Sequence, residues 1–590
     1  MLPDYLFECS WEVCNKVGGI NTVLASKAGY VKSSVNKYFL VGPYMSQKVQ
    51  YEFAEEEVPE EFKACFDFLE SLGMKAHFGT WQIEPEPKVI LIDFYKYVDH
   101  KNEIKKFLWD HFQIDSLYSG WEFEEPMVWS WVTGLLIERF WQDHKESKIV
   151  AHFHEWLSGF GLLYLRSKTG AVKTVFTTHA TMLGRSISGS GEDLYGQLNS
   201  LNPDEAARRL GVFDKFSSER ACAKNADIFT TVSEITGLEA EKILGRKPEV
   251  LLFNGLNIDK FPTLEETSIK HISCRSVIRD FLAYYFFPYY TFDLEHNVSF
   301  FITARYELRN KGIDILAEAL ALLNEQLKKD KNPRTVSVFF WTPMQNSGIK
   351  PLIRETKDLY YNIKELVDAN AHNIISKLLY NLISGKPQPE EAIFAADFLK
   401  NIKMNIKHFQ RQGNPPMVTH QVYNEDNEPL VRLLLDRGLD NKADDPVKVI
   451  VYPVYLDGND GLLNLSLYDA ITGCHFGLFP SYYEPWGYTP LETMALGVSA
   501  LTSDLSGFGL FMEKKWATQN KNSGIYVLKM MDRKREDVIK DLFQTLYNYS
   551  KLEHAERVEN KINAKNLSHL ADWKQFVKNY LQAYDLALAK

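Results

Sequence analysis

A chain of 590 residues is longer than one hydrophobic core can fill, so at least two domains are expected. Its formal net charge of -10, from 67 Lys and Arg against 77 Asp and Glu, argues against a nucleic-acid coat protein or a general binder of anionic surfaces, while leaving room for a local basic pocket. Six cysteines without a CxxC pair argue against a disulfide framework and fit a reducing compartment. The N-terminal MLPDYLFECSWEV has neither the basic nor the apolar region of a secretory signal. No apolar run reaches the ~20 residues that span a bilayer. The cytoplasm is therefore the expected location, with no membrane or nucleic-acid partner.

In chain order, short apolar runs alternate with helical stretches, the pattern of α/β units on mainly parallel sheets. YFLVGP near residue 40, KVILIDF near 90, KIVAHFH near 150 and KTVFTTH near 175 make a first set of strand-like runs. VSFFITARYE near 300, TVSVFFW near 337, KVIVYPVYL near 450 and FGLFPS near 478 make a second. Two sets predict two Rossmann-like domains, residues 1–262 and 297–568, joined by a hinge over 263–296. Between 355 and 446 the strand rhythm stops. Ile363, Val367, Ala371, Ile374, Leu378 and Leu382 fall at helical spacing, which predicts a helical insertion packed on its own domain or against another subunit. At the end, Trp573, Phe576, Val577, Tyr580, Leu581 and Tyr584 share one face of an amphipathic helix.

Several strand ends carry chemistry. Lys16-Val17-Gly18-Gly19 follows a strand-like run and opens a helix. Adjacent glycines let the backbone approach a ligand, and the first N–H groups of a helix can hold phosphate oxygens; a plain tight turn is the other reading. In HFHEW, residues 152–156, a strand sets His152 and His154 on one face. No third ligand stands at a recognisable spacing, so no metal site is expected; buried hydrogen-bonded histidines, or a carboxylate at Glu155 at the mouth of a sugar site, fit better. His179 ends a strand and Arg185 follows it, a pair suited to a ligand crevice and a phosphate, or a capping His and a surface Arg.

Arg305 and Lys311 flank a turn at a strand end of the second set. Two cations there suit a diphosphate leaving group, although Glu307 and Arg309 also make the turn readable as a charged surface. The richest stretch is GCHFGLFPSYYEPWGYTPLETMALG, residues 473–497. A buried strand ends at Pro480-Ser481, and a loop with aromatics around Glu484 follows. Thr489 then reads as an N-cap, with Pro490 first and Glu492 third in the helix. Glu492 either closes a capping box with Thr489 or grips ribose hydroxyls while the helix start holds a pyrophosphate. Were Glu484 and Glu492 both helical, they would lie roughly 12 Å apart along the axis, beyond the ~5–9.5 Å of a glycosidase pair.

Taken together and in order, NKVGG at 15–19, HATMLGR at 179–185, ARYELRNKG at 304–312 and SYYEPWGYTP at 481–490 resemble the glycogen synthases of the animal and fungal type, and the match runs through nearly the whole chain. The resemblance implies an α/β fold of GT-B architecture: two Rossmann-like domains facing a cleft, a helical insertion in the second, and a C-terminal helix, 569–590, returning to the first. It implies a retaining glucosyltransferase that moves glucose from UDP-glucose to the non-reducing end of an α-1,4-glucan, without metal or other cofactor. An ADP-glucose donor, or an inactive glucan-binding scaffold, are the alternatives.

Carried over, Arg305 and Lys311 resemble the pair that stabilises the leaving diphosphate, and Glu484 the carboxylate beside the reacting sugar. His179 and Arg185 match positions around donor glucose and phosphate. Lys16, with Gly18 and Gly19, matches the nucleotide contact of the first domain. His475, Trp486 and Gly487, followed by Tyr488, Thr489 and Glu492, match the donor side of the second. Front-face transfer and double displacement through Glu484 both fit. The family's tetramer implies a subunit contact in the insertion. Regulated members carry an arginine-rich helix near the C-terminus that binds glucose 6-phosphate; here the last Arg is Arg557, so no arginine switch and a constitutively active form are expected.

Overall fold

Uninterrupted runs of Val, Ile, Leu and Phe need apolar partners on both faces, which parallel sheets covered by helices provide. The computed structural model, which describes residues 2–45, 49, 51–330, 334–385, 393–515 and 522–590, meets this need twice. The first sheet holds β1 (Tyr5–Cys9), β2 (Tyr38–Pro43), β3 (Phe53–Glu55), β4 (Lys75–Trp81), β5 (Lys88–Asp93), β6 (Ile149–His154), β7 (Lys173–Thr178), β8 (Ile228–Thr231) and β9 (Val250–Leu251). Their order is β3-β4-β5-β2-β1-β6-β7-β8-β9, parallel except where β4 pairs with β3 and β5.

The second half contributes β10 (Val298–Thr303), β11 (Val336–Trp341), a separate antiparallel pair of β12 (Asn346–Ile349) and β13 (His420–Val422), then β14 (Val447–Tyr452), β15 (Phe476–Leu478), β16 (Ser499–Ser503) and β17 (Ile525–Leu528). Its sheet runs β14-β11-β10-β15-β16-β17, parallel throughout. Every apolar run named from the sequence lies on one of these strands.

The stretch read as a hinge, 263–296, holds a helix, Leu264–Phe286, opened by a capping box between Thr263 and Glu266. It packs on the helix Leu467–Gly473 of the second half. Gly473 permits that approach, since a Cβ there would lie 2.8 Å from Ile278 Cδ1. The C-terminal helix, Trp573–Ala589, crosses back to the first half and buries Trp573, Phe576, Tyr580 and Tyr584 against β6 to β9 and the helix Gly19–Lys32. Trp573 Nε1 donates to Ser26 Oγ at 2.9 Å, and Leu256 pairs with Asp572. The apolar face read from the sequence is the face that packs.

Within the insertion, residues 386–392 lie outside the described residues. Pro351–Ser384 is one 34-residue helix with Pro at its first position and Gly385 at its end. It buries only Ile353 and Thr356 and leaves Ile375, Leu379, Leu382 and Ile383 more than half exposed. Among the described residues, no helix is long and apolar enough to cross a membrane.

Candidate active site

The carboxyl ends of β6, β7 and β10 and the loop after β15 open into a cavity of about 650 Å³, the place where open parallel sheets take their ligands. It is lined by Gly18, Gly19, His179 and Arg185 from the first half. Arg305, Lys311, Glu484, Trp486, Gly487, Tyr488 and Thr489 line it from the second. Glu12 and Glu155, neither proposed with a firm role, complete the first wall.

Lys311 Nζ sits 2.5 Å from Glu484 Oε2, both side chains largely withdrawn from water. The turn that brings Lys311 back over the loop requires Gly312, whose φ is +67° and whose Cβ would strike the carbonyl of Pro480. Arg305 is the freer cation: its side chain is 76 % exposed and pairs with Glu307 at 3.1 Å. Arg185 is exposed on the opposite wall, near Glu155, Glu219 and Glu239, whose charges raise its pKa.

Of the helix starts that line the cavity, those of Gly19–Lys32 and Tyr488–Ala495 differ as anion sites. At Gly19–Lys32 the N–H groups of Gly18 and Asn21 both donate to Glu12 Oε2, at 2.8 and 2.9 Å. The phosphate expected at this helix start therefore finds two of its N–H groups already taken by a carboxylate. Lys16 is exposed and does not line the cavity. At Tyr488–Ala495 no side chain caps the N-terminus, so its first N–H groups remain available to an anion. The cap residue is Gly487 at φ +110°, not Thr489, because the chain enters the helix from the left-handed region, where a Cβ would also crowd Ser506 Oγ at 2.9 Å.

Glu492 neither closes a capping box nor lines the cavity. It accepts from the Tyr468 hydroxyl at 2.7 Å, and burial raises its pKa. Trp486 lines the cavity but is mostly core, packed against the ring cluster of Phe253, Phe511 and Phe576 and against Phe508.

His475 departs furthest from expectation. Its Nδ1 accepts from Ser299 N at 3.0 Å and faces Arg275 Nη1 at 3.2 Å. This turns the ring into a second cavity of about 320 Å³, away from the first. That cavity gathers Arg275 and Arg279 from Leu264–Phe286 and Arg557 and Lys561 from the helix His554–Ser568. The C-terminal helix region does offer few cations, as read from the sequence, but a distant helix supplies the rest. Burial and Arg275 lower Lys561 to about 7.

Behind His179 runs a buried chain. His154 Nδ1 is 2.9 Å from His179 Nε2, and His154 Nε2 is 2.7 Å from Glu8 Oε1. Burial pushes Glu8 up, yet Lys27 and His154 hold its carboxyl well below the usual range. An ionised carboxylate only accepts, so His154 Nε2 carries a proton and its Nδ1 accepts from His179. Burial keeps His179 neutral, which leaves its Nδ1 as an acceptor for a hydroxyl. Glu8, His152 and His154 have metal-ligand spacing, but Lys27 already pairs with the same oxygen of Glu8. His152 bonds Thr177 and Tyr584 and is structural.

Glu155 stands at the end of β6 with φ +64°, a strained conformation for a side-chain residue. The strain brings its carboxyl onto the N–H groups of His179 and Ala180, at 2.8 and 3.2 Å. Burial nonetheless raises it to about 7, with Arg185 opposing.

Two Rossmann-like halves meeting at a cleft that gathers Arg185, Arg305 and Lys311, with an uncapped helix start beside a lysine–carboxylate pair, define a GT-B glycosyltransferase. The family model described as Glycogen synthase matches residues 8–590, and the chain belongs to the glycogen synthase family. It is 36% identical over 592 residues to the liver glycogen [starch] synthase of Homo sapiens, covering 99% of this chain and 83% of that one. It is 36% identical over 596 residues to the glycogen [starch] synthase of Caenorhabditis elegans, covering 99% and 88%. Among solved structures, the catalytic domain of starch synthase IV from Arabidopsis thaliana, bound to ADP and acarbose, aligns over 100% of both chains at a TM-score of 0.53 and 14% identity; that likeness concerns the fold.

Proposed function

We propose that this glycosyltransferase moves glucose from UDP-glucose to the non-reducing end of an α-1,4-glucan with retention of configuration, and that the cations of the second domain carry the catalysis. The observation that carries this reading is the convergence of Arg305, Lys311 and the uncapped start of Tyr488–Ala495 on one cavity. As the glycosidic bond breaks, negative charge grows on the diphosphate. Cations and N–H groups gathered around it stabilise that charge. His179 Nδ1 accepts a sugar hydroxyl, and Arg185 supplies a third positive group. Glu484, already paired with Lys311, is a poor free nucleophile; it serves to face the positive charge of the sugar centre while the acceptor attacks from the side the diphosphate leaves. Lys16, Glu492 and His475 have no part in this step.

Transfer to glycogen from UDP-glucose, and weaker transfer from ADP-glucose, is the expected result. Transfer from neither donor would leave only a glucan-binding scaffold, and a trapped glucosyl-Glu484 adduct would replace front-face attack by double displacement.

One observation favours a second activity. The cationic second cavity weighs against the expectation of an unregulated enzyme, because Arg275, Arg279, Arg557 and Lys561 face it and, among the described lining residues, Glu295 alone opposes them. We propose that it takes a sugar phosphate, as in regulated members of the family. Activation by glucose 6-phosphate that is lost in Arg275→Ala with Arg557→Ala supports this; unchanged activity at saturating glucose 6-phosphate opposes it. The exposed apolar residues of Pro351–Ser384 support assembly into a homo-oligomer through the insertion.

A further inference from the structure

The loop that carries Glu484 belongs by sequence to the second domain, yet the residues on either side of it are bonded to the first. Tyr483 is buried in the apolar core of the first domain, its ring stacked over Tyr195 at 6.4 Å. Its hydroxyl donates to Glu239 Oε1 at 3.1 Å. On the other side, the carbonyl of Pro485 accepts from Thr236 Oγ1 at 3.4 Å. Thr236 and Glu239 lie one turn apart on the helix Glu234–Ile243.

The same oxygen of Glu239 reaches the opposite wall. It accepts from the N–H of Thr181 at 3.2 Å and from the Thr181 hydroxyl. Thr181 caps the helix Met182–Gly189, where its Oγ1 accepts from Gly184 N at 2.9 Å. With its proton committed to Glu239, that hydroxyl keeps a lone pair aimed at the helix N–H. This helix bears Arg185. The glycine of the HATMLGR stretch has a reason here, since a Cβ at Gly184 would collide with the Glu239 carboxyl. The second oxygen, Oε2, accepts from Tyr195 at 3.4 Å.

We propose that Glu239, which does not line the main cavity, is a positioning residue for glucosyl transfer: one carboxyl holds the Arg185 helix and the Glu484 loop in register across the interdomain cleft. The bond to Tyr483 joins a loop of the second domain to a helix of the first, so the reacting arrangement depends on the two domains being docked. Small losses of register cost rate more than binding, because the reaction depends on near-attack geometry. The inference rests on the proposed transfer reaction.

The test compares kcat and KM for UDP-glucose in the full-length protein and four variants: Tyr483→Phe, Glu239→Gln, Glu239→Ala and the double variant Tyr483→Phe with Glu239→Ala. Tyr483→Phe keeps the buried ring and removes one hydrogen bond, so a fall of about 10-fold in kcat is expected, with donor KM within about 2-fold and only a small fall in melting temperature. Glu239→Gln retains an oxygen for Tyr483 and Thr181 and keeps most of the rate. The double variant is no slower than Glu239→Ala alone, because both remove one link. If Glu239→Ala does not fold, Tyr483→Phe and Glu239→Gln decide the matter. Wild-type rate in Tyr483→Phe, or losses that multiply in the double variant, overturns the positioning role while the transferase reading stands. Absence of transfer by the wild type sinks that reading, and this inference with it.

Discussion

Lys311 Nζ touches Glu484 Oε2 at 2.5 Å across 173 residues of chain, so the site's charge pair exists only once the loop after β15 has folded over the turn after β10. Its two cations then separate by environment. Arg305 is free to follow the diphosphate, and Lys311 is half of an internal pair. Arg305→Ala should lower kcat by on the order of 10²-fold with an unchanged melting temperature, because an exposed side chain contributes little to stability. Lys311→Met should lower kcat at least as far and also reduce the melting temperature, since it leaves Glu484 unpaired in a half-buried place. Equal melting temperatures in the two variants would contradict this division.

Glu155 gives a pH signature. Its carboxyl is raised from 4.5 to about 7 in the folded chain, so the folded state resists its ionisation more than the unfolded state does. The resulting penalty is absent below pH 4.5, grows between 4.5 and 7, and is constant above. Glu155→Gln removes it. The melting temperature of the variant relative to wild type should therefore rise from pH 5 to pH 8, as read by scanning fluorimetry. A difference that stays flat over that range would show that Glu155 ionises freely.

The strands and the strand-end residues were legible because both rest on local rules. Burial on two faces writes β6, β7 and β10 as apolar runs, and parallel topology puts whatever follows them at the cleft. That is enough to bring His179, Arg185, Arg305, Lys311 and Glu484 together. His475 escaped because its direction is set by Ser299 N and Arg275, far off in sequence, and a His at a strand start carries no mark of either. Thr489 and Glu492 have the spacing of a capping box, yet the left-handed backbone of Gly487 starts the helix earlier and the local rule loses. Glu12 and Glu239 left no signal at all: each is a lone carboxylate whose meaning depends on N–H and hydroxyl groups delivered by other segments.

The second cavity makes a prediction about anions. Lys561 sits near 7 because burial and Arg275 oppose its charge, so the cavity loses a positive group as pH rises through neutrality. A bound anion favours the charged lysine. Sulfate does not itself titrate between pH 6 and 8, and its affinity measured by calorimetry should fall several-fold over that interval. In Lys561→Met the affinity should be lower at pH 6 and fall less steeply from pH 6 to pH 8 than in the wild type, His554 being the other lining group that can change charge there. A wild-type affinity that does not change from pH 6 to pH 8 would mean that Lys561 keeps its proton throughout or that the anion lies elsewhere.

The long helix of the insertion is hard to explain in a lone chain. Its first half packs on its own domain through Leu359, Tyr360, Tyr361 and Ile363, but the last turns of these 34 residues bury little, and most helical stability comes from packing an apolar face. Ile375, Leu379, Leu382 and Ile383 repeat at steps of four, three and one and stay exposed, which gives the last turns of the helix an apolar stripe suited to a second helix. Of the face read from the sequence, Leu382 lies on this stripe and Leu378 borders it. Paired charges placed there should prevent association without disturbing the cleft, which lies on other elements. Leu379→Asp with Leu382→Asp should shift the mass measured by light scattering from an oligomer to the 68.1 kDa of one chain, while wild-type protein at the same concentration stays assembled. Transfer activity per chain should persist in the dissociated variant, because the described residues that line the cavity lie outside this helix. A wild-type protein that is already monomeric at micromolar concentration would remove the insertion from any role in assembly.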